Sequence, residues 1–210
     1  MLLGTNKLGS ICGTASAALR YLRMMRLPWR ALLPAAAFAF LAALAGARLV
    51  STVSPALFRP LVPVMLSLVL AYVLFYKDLG ARHAPIVFSR RRSAFALASI
   101  GLVGVYDGFF GPGTGSFLML LFIRCYGFDF LHASAGARAI NVATNAGALL
   151  LFGLRGEVHW ALGAALGLCN AVGSLLGTQT AIKHGSGFVR VVFIAIVAAL
   201  IAKTGVDALR

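Results

Sequence analysis

Long apolar stretches alternate with short clusters of charge along this chain. No Asp, Glu, Lys or Arg falls within Ala31–Ala47, Pro60–Tyr76, Ala139–Leu154, Trp160–Ile182 or Val191–Ala202. A helix needs about 20 mostly apolar residues to cross a bilayer, and several of these stretches reach that length. They are continuous, without the apolar–polar alternation of a membrane barrel strand. In lipid the backbone polar groups must bond within the segment, so the runs predict helices. The pattern predicts a first helix over Leu8–Leu22, ended by an Arg cluster and Pro28. Spans follow over Ala31–Ala47, Ala56–Tyr76 and Ser93–Phe110. A Gly-rich break then precedes a short run to Ile123. Further spans cover His132–Leu154, Trp160–Ile182 and Phe188–Ala202. The fold class is an all-α membrane protein, a multi-pass helical bundle with no room for a soluble domain.

Composition strengthens the picture. Of the 210 residues, 60% are hydrophobic and 11% charged, with a mean hydropathy of +0.92. A soluble domain carries roughly 25% charged residues. The net charge of +14 raises nucleic acid as a partner, but the placement of the cations argues against it. Arg20, Arg23, Arg26 and Arg30 lie between two apolar runs, as do Lys77, Arg82, Arg90, Arg91 and Arg92. They read as short cytoplasmic loops that fix topology and touch anionic headgroups. The expected location is the inner cell membrane, with the lipid bilayer as the principal partner. Cys12, Cys125 and Cys169 sit in apolar segments, with no Cys or Cys/His spacing that suggests a metal. No residue pattern argues for an organic cofactor, and the N-terminus does not read as a signal peptide.

Sliding the chain against itself by 131 residues reveals a repeat. Trp29 falls on Trp160, Gly46 on Gly177, Arg59 on Arg190 and Lys7 on Arg138, all without a gap. Residues 1–92 then form a first repeat and 93–210 a second, within one membrane domain. Ser93 to about Phe130 has no counterpart before Met1. The first repeat is therefore expected to lack its opening, through a truncated reading frame, a misplaced start or a genuine short form. Counting the broken pair as two segments gives the second repeat five, and an odd number places the repeats in opposite orientation. Charge agrees. The Arg20–Arg30 loop carries four positives, whereas its repeat mate has Arg155 offset by Glu157.

Two constellations could carry chemistry. The first runs from Tyr106 to Ser116, where Asp107 is the only charged residue between Arg92 and Arg124. An ionisable group at membrane depth is costly and by default functional. Gly108, Gly111, Gly113 and Gly115 remove side chains, so the backbone can turn and approach a ligand. Pro112 breaks the helical hydrogen bonding, while Thr114 and Ser116 add hydroxyls. Broken helices of this kind build midplane substrate sites. The blander alternative is a tight turn at the membrane surface with Asp107 wetted there. The second constellation joins Thr5, Asn6 and Lys7 to Arg138, Asn141, Thr144 and Asn145. Asn141 and Asn145 share a helix face. A cation with amide and hydroxyl donors suits an oxyanion. Here the alternative is Lys7 and Arg138 snorkelling to headgroups, with the polar residues bonding between helices.

The remaining polar residues read as peripheral. His132 and His159 fall near segment ends, Trp29 and Trp160 mark the interface, and Asp129, Glu157 and Asp207 belong to loops or the tail. The chain holds no Walker A, HExxH or GxSxG sequence, so no enzyme reading has support.

At these residues a family resemblance becomes visible. Gly4 to Leu8, the stretch from Gly104 to Phe117 with its Asp-Gly-Phe-Phe-Gly-Pro core, and Ala137-Arg138 with Asn141, Thr144 and Asn145 together resemble the TauE/SafE family. That is the sulfite exporter family of bacterial membrane proteins, and its YfcA-type branch is the most similar. The resemblance implies an inner-membrane permease with two related halves, associated with small sulfur-containing anions such as sulfite, sulfonates and thiosulfate. Asp107 to Ser116 match the family's second Gly-rich motif, and Thr5, Asn6 and Lys7 the end of its first motif region. The first Gly-rich motif itself should precede this stretch. The expected function is transport of a small oxyanion by alternating access at the repeat interface, with Lys7, Arg138 and the Gly-rich backbone holding the anion and Asp107 carrying a coupling proton. A passive anion channel and a truncated, non-transporting membrane protein are the alternatives.

Overall fold

The computed structural model describes residues 2–50, 61–76, 78–84 and 90–209. The first part of the expected third span, with Arg59, and the loop cation Lys77 lie outside the described residues. The described residues form seven helices: α1 (Leu2–Met24), α2 (Trp29–Leu49), α3 (Leu61–Phe75), α4 (Arg90–Phe109), α5 (Thr114–Tyr126), α6 (Phe130–Leu154) and α7 (Trp160–Leu209). Among the described residues there is no strand. Three helices are long and apolar enough to cross a membrane, at Trp29–Leu49, Phe130–Leu154 and Trp160–Val206. The chain is a helical membrane protein.

Most predicted boundaries hold within a few residues, and two differences are informative. Helix α1 begins at Leu2, not Leu8. Its opening turns carry polar residues that the apolar pattern leaves out, yet Thr5 and Lys7 are buried against remote partners that satisfy them. The last two spans are contiguous, meeting at Gly185, whose φ of 76° and ψ of −169° leave the helical region. Glycine tolerates that backbone where other residues do not. Both arms of α7 line one cavity.

Helix directions follow from the pairs in contact. Gly4 packs on Phe152 at one end of α1, and Tyr21 bonds to Ser134 at the other, so α1 and α6 are antiparallel. Gly9 meets Leu166 and Gly13 meets Asn170, so the first arm of α7 runs parallel to α1. The turn between α1 and α2, the strap 78–84 and the start of α6 share one end of the bundle, since Gly80 O accepts from Phe130 N and Ala84 N donates to Gly127 O. Arg20, Arg23, Arg26, Arg30, Arg82, Arg91 and Arg92 cluster towards this end. On α7, Arg190 caps α3, donating from Nη2 to Val73 O at 3.0 Å and Tyr76 O at 3.2 Å, where the last carbonyls of a helix lack donors.

Small residues set the tightest crossings. A Cβ on Gly108 would lie 1.9 Å from Ala43 O, one on Gly46 2.0 Å from Val105 O, and one on Gly147 2.3 Å from Phe40 O. Helices α2, α4 and α6 therefore touch backbone to backbone. Lipid supplies no hydrophobic drive between helices, so this close packing is what holds them together. A Cβ on Gly177, 131 residues beyond Gly46, would meet no described atom within 4 Å. Gly46→Ala is expected to lower the thermal midpoint in detergent clearly. Gly177→Ala should leave it unchanged or raise it, because alanine is the better helix former by about 1 kcal/mol. Scanning fluorimetry of the two variants makes the comparison, and equal losses would contradict it.

Candidate functional site

The Gly-rich segment breaks the helix as its sequence predicts. Helix α4 ends at Phe109 and α5 starts at Thr114. Between them Gly111 (φ 95°) and Gly113 (φ 81°) take backbone conformations that side chains disfavour. Tyr106 closes the turn by donating from its hydroxyl to Pro112 O. The break is not at the surface. A Cβ on Gly115 would sit 3.6 Å from Asn141 Nδ2. Asn141 lies about 17 Å into a helix about 37 Å long, at 1.5 Å per residue. The turn is thus near the middle of α6, and Asp107 is only 4% exposed. The surface-turn alternative is removed.

Lys7 reaches this turn from α1. Its Nζ lies 2.8 Å from Asp107 Oδ1 and also donates to the Asp107 carbonyl oxygen. Thr114 Oγ1 is 3.0 Å from the same carboxylate oxygen and 2.7 Å from Gly111 O. One ammonium therefore ties α1 to the end of α4, where helix carbonyls concentrate negative potential, and Thr114 joins α5 to the same carboxylate. Asp107 Oδ2 is buried with no partner among the described residues.

Arg138 has a different setting. It projects into a cavity of about 510 Å³ formed by α1, α5, α6 and both arms of α7. Gly113, Gly115, Ser116 and Asn141 line the same space. Asn141 Oδ1 is buried without a hydrogen-bond partner among the described residues. No carboxylate among the described residues forms an ion pair with Arg138. The side chain is exposed, although helices surround it on several sides.

The other expected site residues fall elsewhere. Thr5 Oγ1 accepts from His159 N at 2.9 Å, which pins α1 to the start of α7. Asn6 is exposed, whereas Thr144 and Asn145 are buried away from the cavity wall. Thr144 donates to Asn141 O at 3.2 Å. Gly108 faces Ala43 and serves the helix crossing. Lys7, Asp107, Gly111 and Thr114 form their own cluster and are not part of the cavity lining. Sequence reasoning missed Asn170, Ser174 and Thr178, which face Arg138's cavity from α7. Their four-residue spacing is a polar stripe on one helix face, a signal present in an otherwise apolar run. Asn170 Nδ2 also donates to Gly9 O at 3.1 Å.

A match over nearly the full length decides the family. The sequence model of the family described as "Sulfite exporter TauE/SafE" matches residues 1–204. The chain belongs to the TauE/SafE family. Among its curated relatives, the "Probable membrane transporter protein YfcA" of Escherichia coli K12 is 33% identical over 203 residues, covering 96% of this chain and 74% of the relative. The "Probable membrane transporter protein ORF9" of a Sinorhizobium species is also 33% identical over 203 residues, covering 94% and 75% respectively. A Haemophilus influenzae "Probable membrane transporter protein" is 32% identical over 190 residues, covering 90% and 74%. No solved structure matches. This TauE/SafE member is therefore one of a family of membrane transporters.

The buried pair yields a test. Breaking such a pair leaves an uncompensated charge and costs about 3–5 kcal/mol, whereas replacing both partners by apolar groups is often neutral. Asp107→Leu and Lys7→Met should each lower the thermal midpoint in detergent, and the double variant should recover most of that loss. Additive losses in the double variant would show that the two side chains do not stabilise one another.

Proposed function

We propose that this TauE/SafE protein is a secondary transporter for a small oxyanion, sulfite or a sulfonate in chemical type, working by alternating access between two repeats. The observation that carries the reading is Arg138, a cation without a carboxylate partner among the described residues, in a cavity large enough for such an anion. A guanidinium presents a planar fork of donors that matches two oxygens of an oxyanion. Ser116, Ser174 and Asn170 add neutral donors around it. The Asn141 amide can turn about its last bond to offer an NH2 where its oxygen has no partner among the described residues. The N-terminus of α5, the positive end of that helix, opens into the same space through Gly113 and Gly115.

Two further features support the cycle. The helices paired by the 131-residue register run in opposite directions, as the antiparallel α1 and α6 illustrate. That relation fits inverted repeats exchanging inward and outward states. The clustering of arginines at one end fits a cytoplasmic face there, in an inner membrane. In this reading Arg138 binds the anion alone, because Lys7 is engaged by Asp107. Asp107 Oδ2 remains the acceptor for a coupling proton.

Transport of labelled sulfite and taurine into proteoliposomes, with and without a pH gradient, tests the proposal. Arg138→Gln is expected to reduce the rate at least tenfold, and Arg138→Lys to retain part of it. Counterflow by the wild type separates a carrier from a passive channel. Wild-type rates in Arg138→Gln would remove the arginine from the site.

A further inference from the structure

The charged end of the bundle holds a second cluster of reactive side chains, outside the cavity. His83, Asp129 and His132 each offer a ligand atom, and all three atoms lie within 4.8 Å of one another. They come from two parts of the chain. His83 belongs to the strap 78–84, while Asp129 and His132 begin α6. Their separation in sequence hides the cluster from a search for ligand spacing.

The strap is fixed on both sides of His83's approach to α6. Ala84 N donates to Gly127 O at 2.9 Å, and Gly80 O accepts from Phe130 N at 3.2 Å. Ser186 Oγ, from the turn of α7, adds a bond to Gly80 O at 3.2 Å. The imidazoles of His83 and His132 stack with centroids 3.7 Å apart. Asp129 caps α6, its Oδ1 accepting from His132 N at 2.7 Å. The same oxygen lies 2.8 Å from His132 Nδ1. A carboxylate oxygen and a ring nitrogen thus converge on one point, as two ligands of a single ion must.

We infer that His83, His132 and Asp129 form a binding site for a divalent transition metal of the zinc type, which ties the strap between α3 and α4 to the start of α6. His132 Nδ1 and one ring nitrogen of His83 supply imidazole ligands. Asp129 supplies a carboxylate oxygen, the metal taking the place of the proton between the carboxylate and His132 Nδ1. Two imidazoles and one carboxylate suit zinc, nickel or copper rather than calcium or magnesium, which prefer oxygen. Zinc at about 2.0–2.1 Å from each ligand holds them roughly 3.4 Å apart in a tetrahedron. The set, spread over as much as 4.8 Å, has to close, and His83, exposed on its strap, is the side chain that turns out of its stack on His132 to do so. Water completes the coordination.

Purified full-length protein in detergent is titrated with Zn2+ by calorimetry and with Co2+ by visible absorption. The expected result is one equivalent bound by the wild type, with nitrogen-ligand bands in the cobalt spectrum. His83→Gln lies on an exposed strap and keeps the fold, as monodisperse gel filtration would show. It should weaken binding at least tenfold. His132→Gln should do the same, and Asp129→Asn, which retains the helix cap, should weaken binding to a lesser degree. Undiminished binding in His83→Gln, or no binding of either metal by the wild type up to about 1 mM, overturns the site.

Discussion

The buried pair of Lys7 and Asp107 is the constraint around which this bundle is arranged. Each charge alone would cost several kcal/mol inside the protein. Together, with Thr114 on the same carboxylate oxygen, they are tolerable. The pair links α1 to the end of α4 through the lysine side chain and holds the turn at Gly111–Gly113 deep in the bundle. Once the turn is there, α5 must start halfway along α6, and the cavity at its N-terminus follows. The small residues of α2, α4 and α6 allow this, because a side chain at Gly46, Gly108 or Gly147 would push these helices apart.

The helical architecture is legible in the sequence because lipid imposes one demand, continuous apolarity, that the chain cannot disguise. The break at Gly111-Pro112-Gly113 is legible for a related reason: no other residues permit that backbone so cheaply. The chemistry of Lys7 is not legible. A lysine near a Gly-rich motif is equally suited to binding an anion or neutralising a carboxylate, and Asp107 lies 100 residues away in sequence. Only the fold chooses between these uses, and it leaves Arg138 as the cation that faces the cavity. Thr5 misleads in a similar way, since its hydroxyl is used on a backbone amide of α7's approach. The Asn170–Ser174–Thr178 stripe is open to reading, because polar residues at that spacing in an apolar helix rarely face lipid.

Lys7 and Arg138 are put to different uses. Register makes them mates, yet one is sealed in an ion pair and the other stands in an open cavity. The sealed lysine is not available to an anion. The close backbone contacts that accompany it are also missing around Gly173 and Gly177, where no described atom lies within 4 Å of a side chain's first carbon. The bundle is thus rigid where α2 crosses α4 and α6, and leaves space around Gly173 and Gly177.

Arg138 also means that the cavity is never electrically empty. Without a fixed carboxylate beside it among the described residues, the guanidinium brings a positive charge that mobile anions of the solution would have to balance. Under the proposed function, a substrate anion would arrive by displacement, exchanging one counter-ion for another. Added chloride would compete for the site by mass action, distinct from any screening by ionic strength, and an incoming doubly charged anion would leave the occupied cavity with a surplus negative charge that favours its onward release.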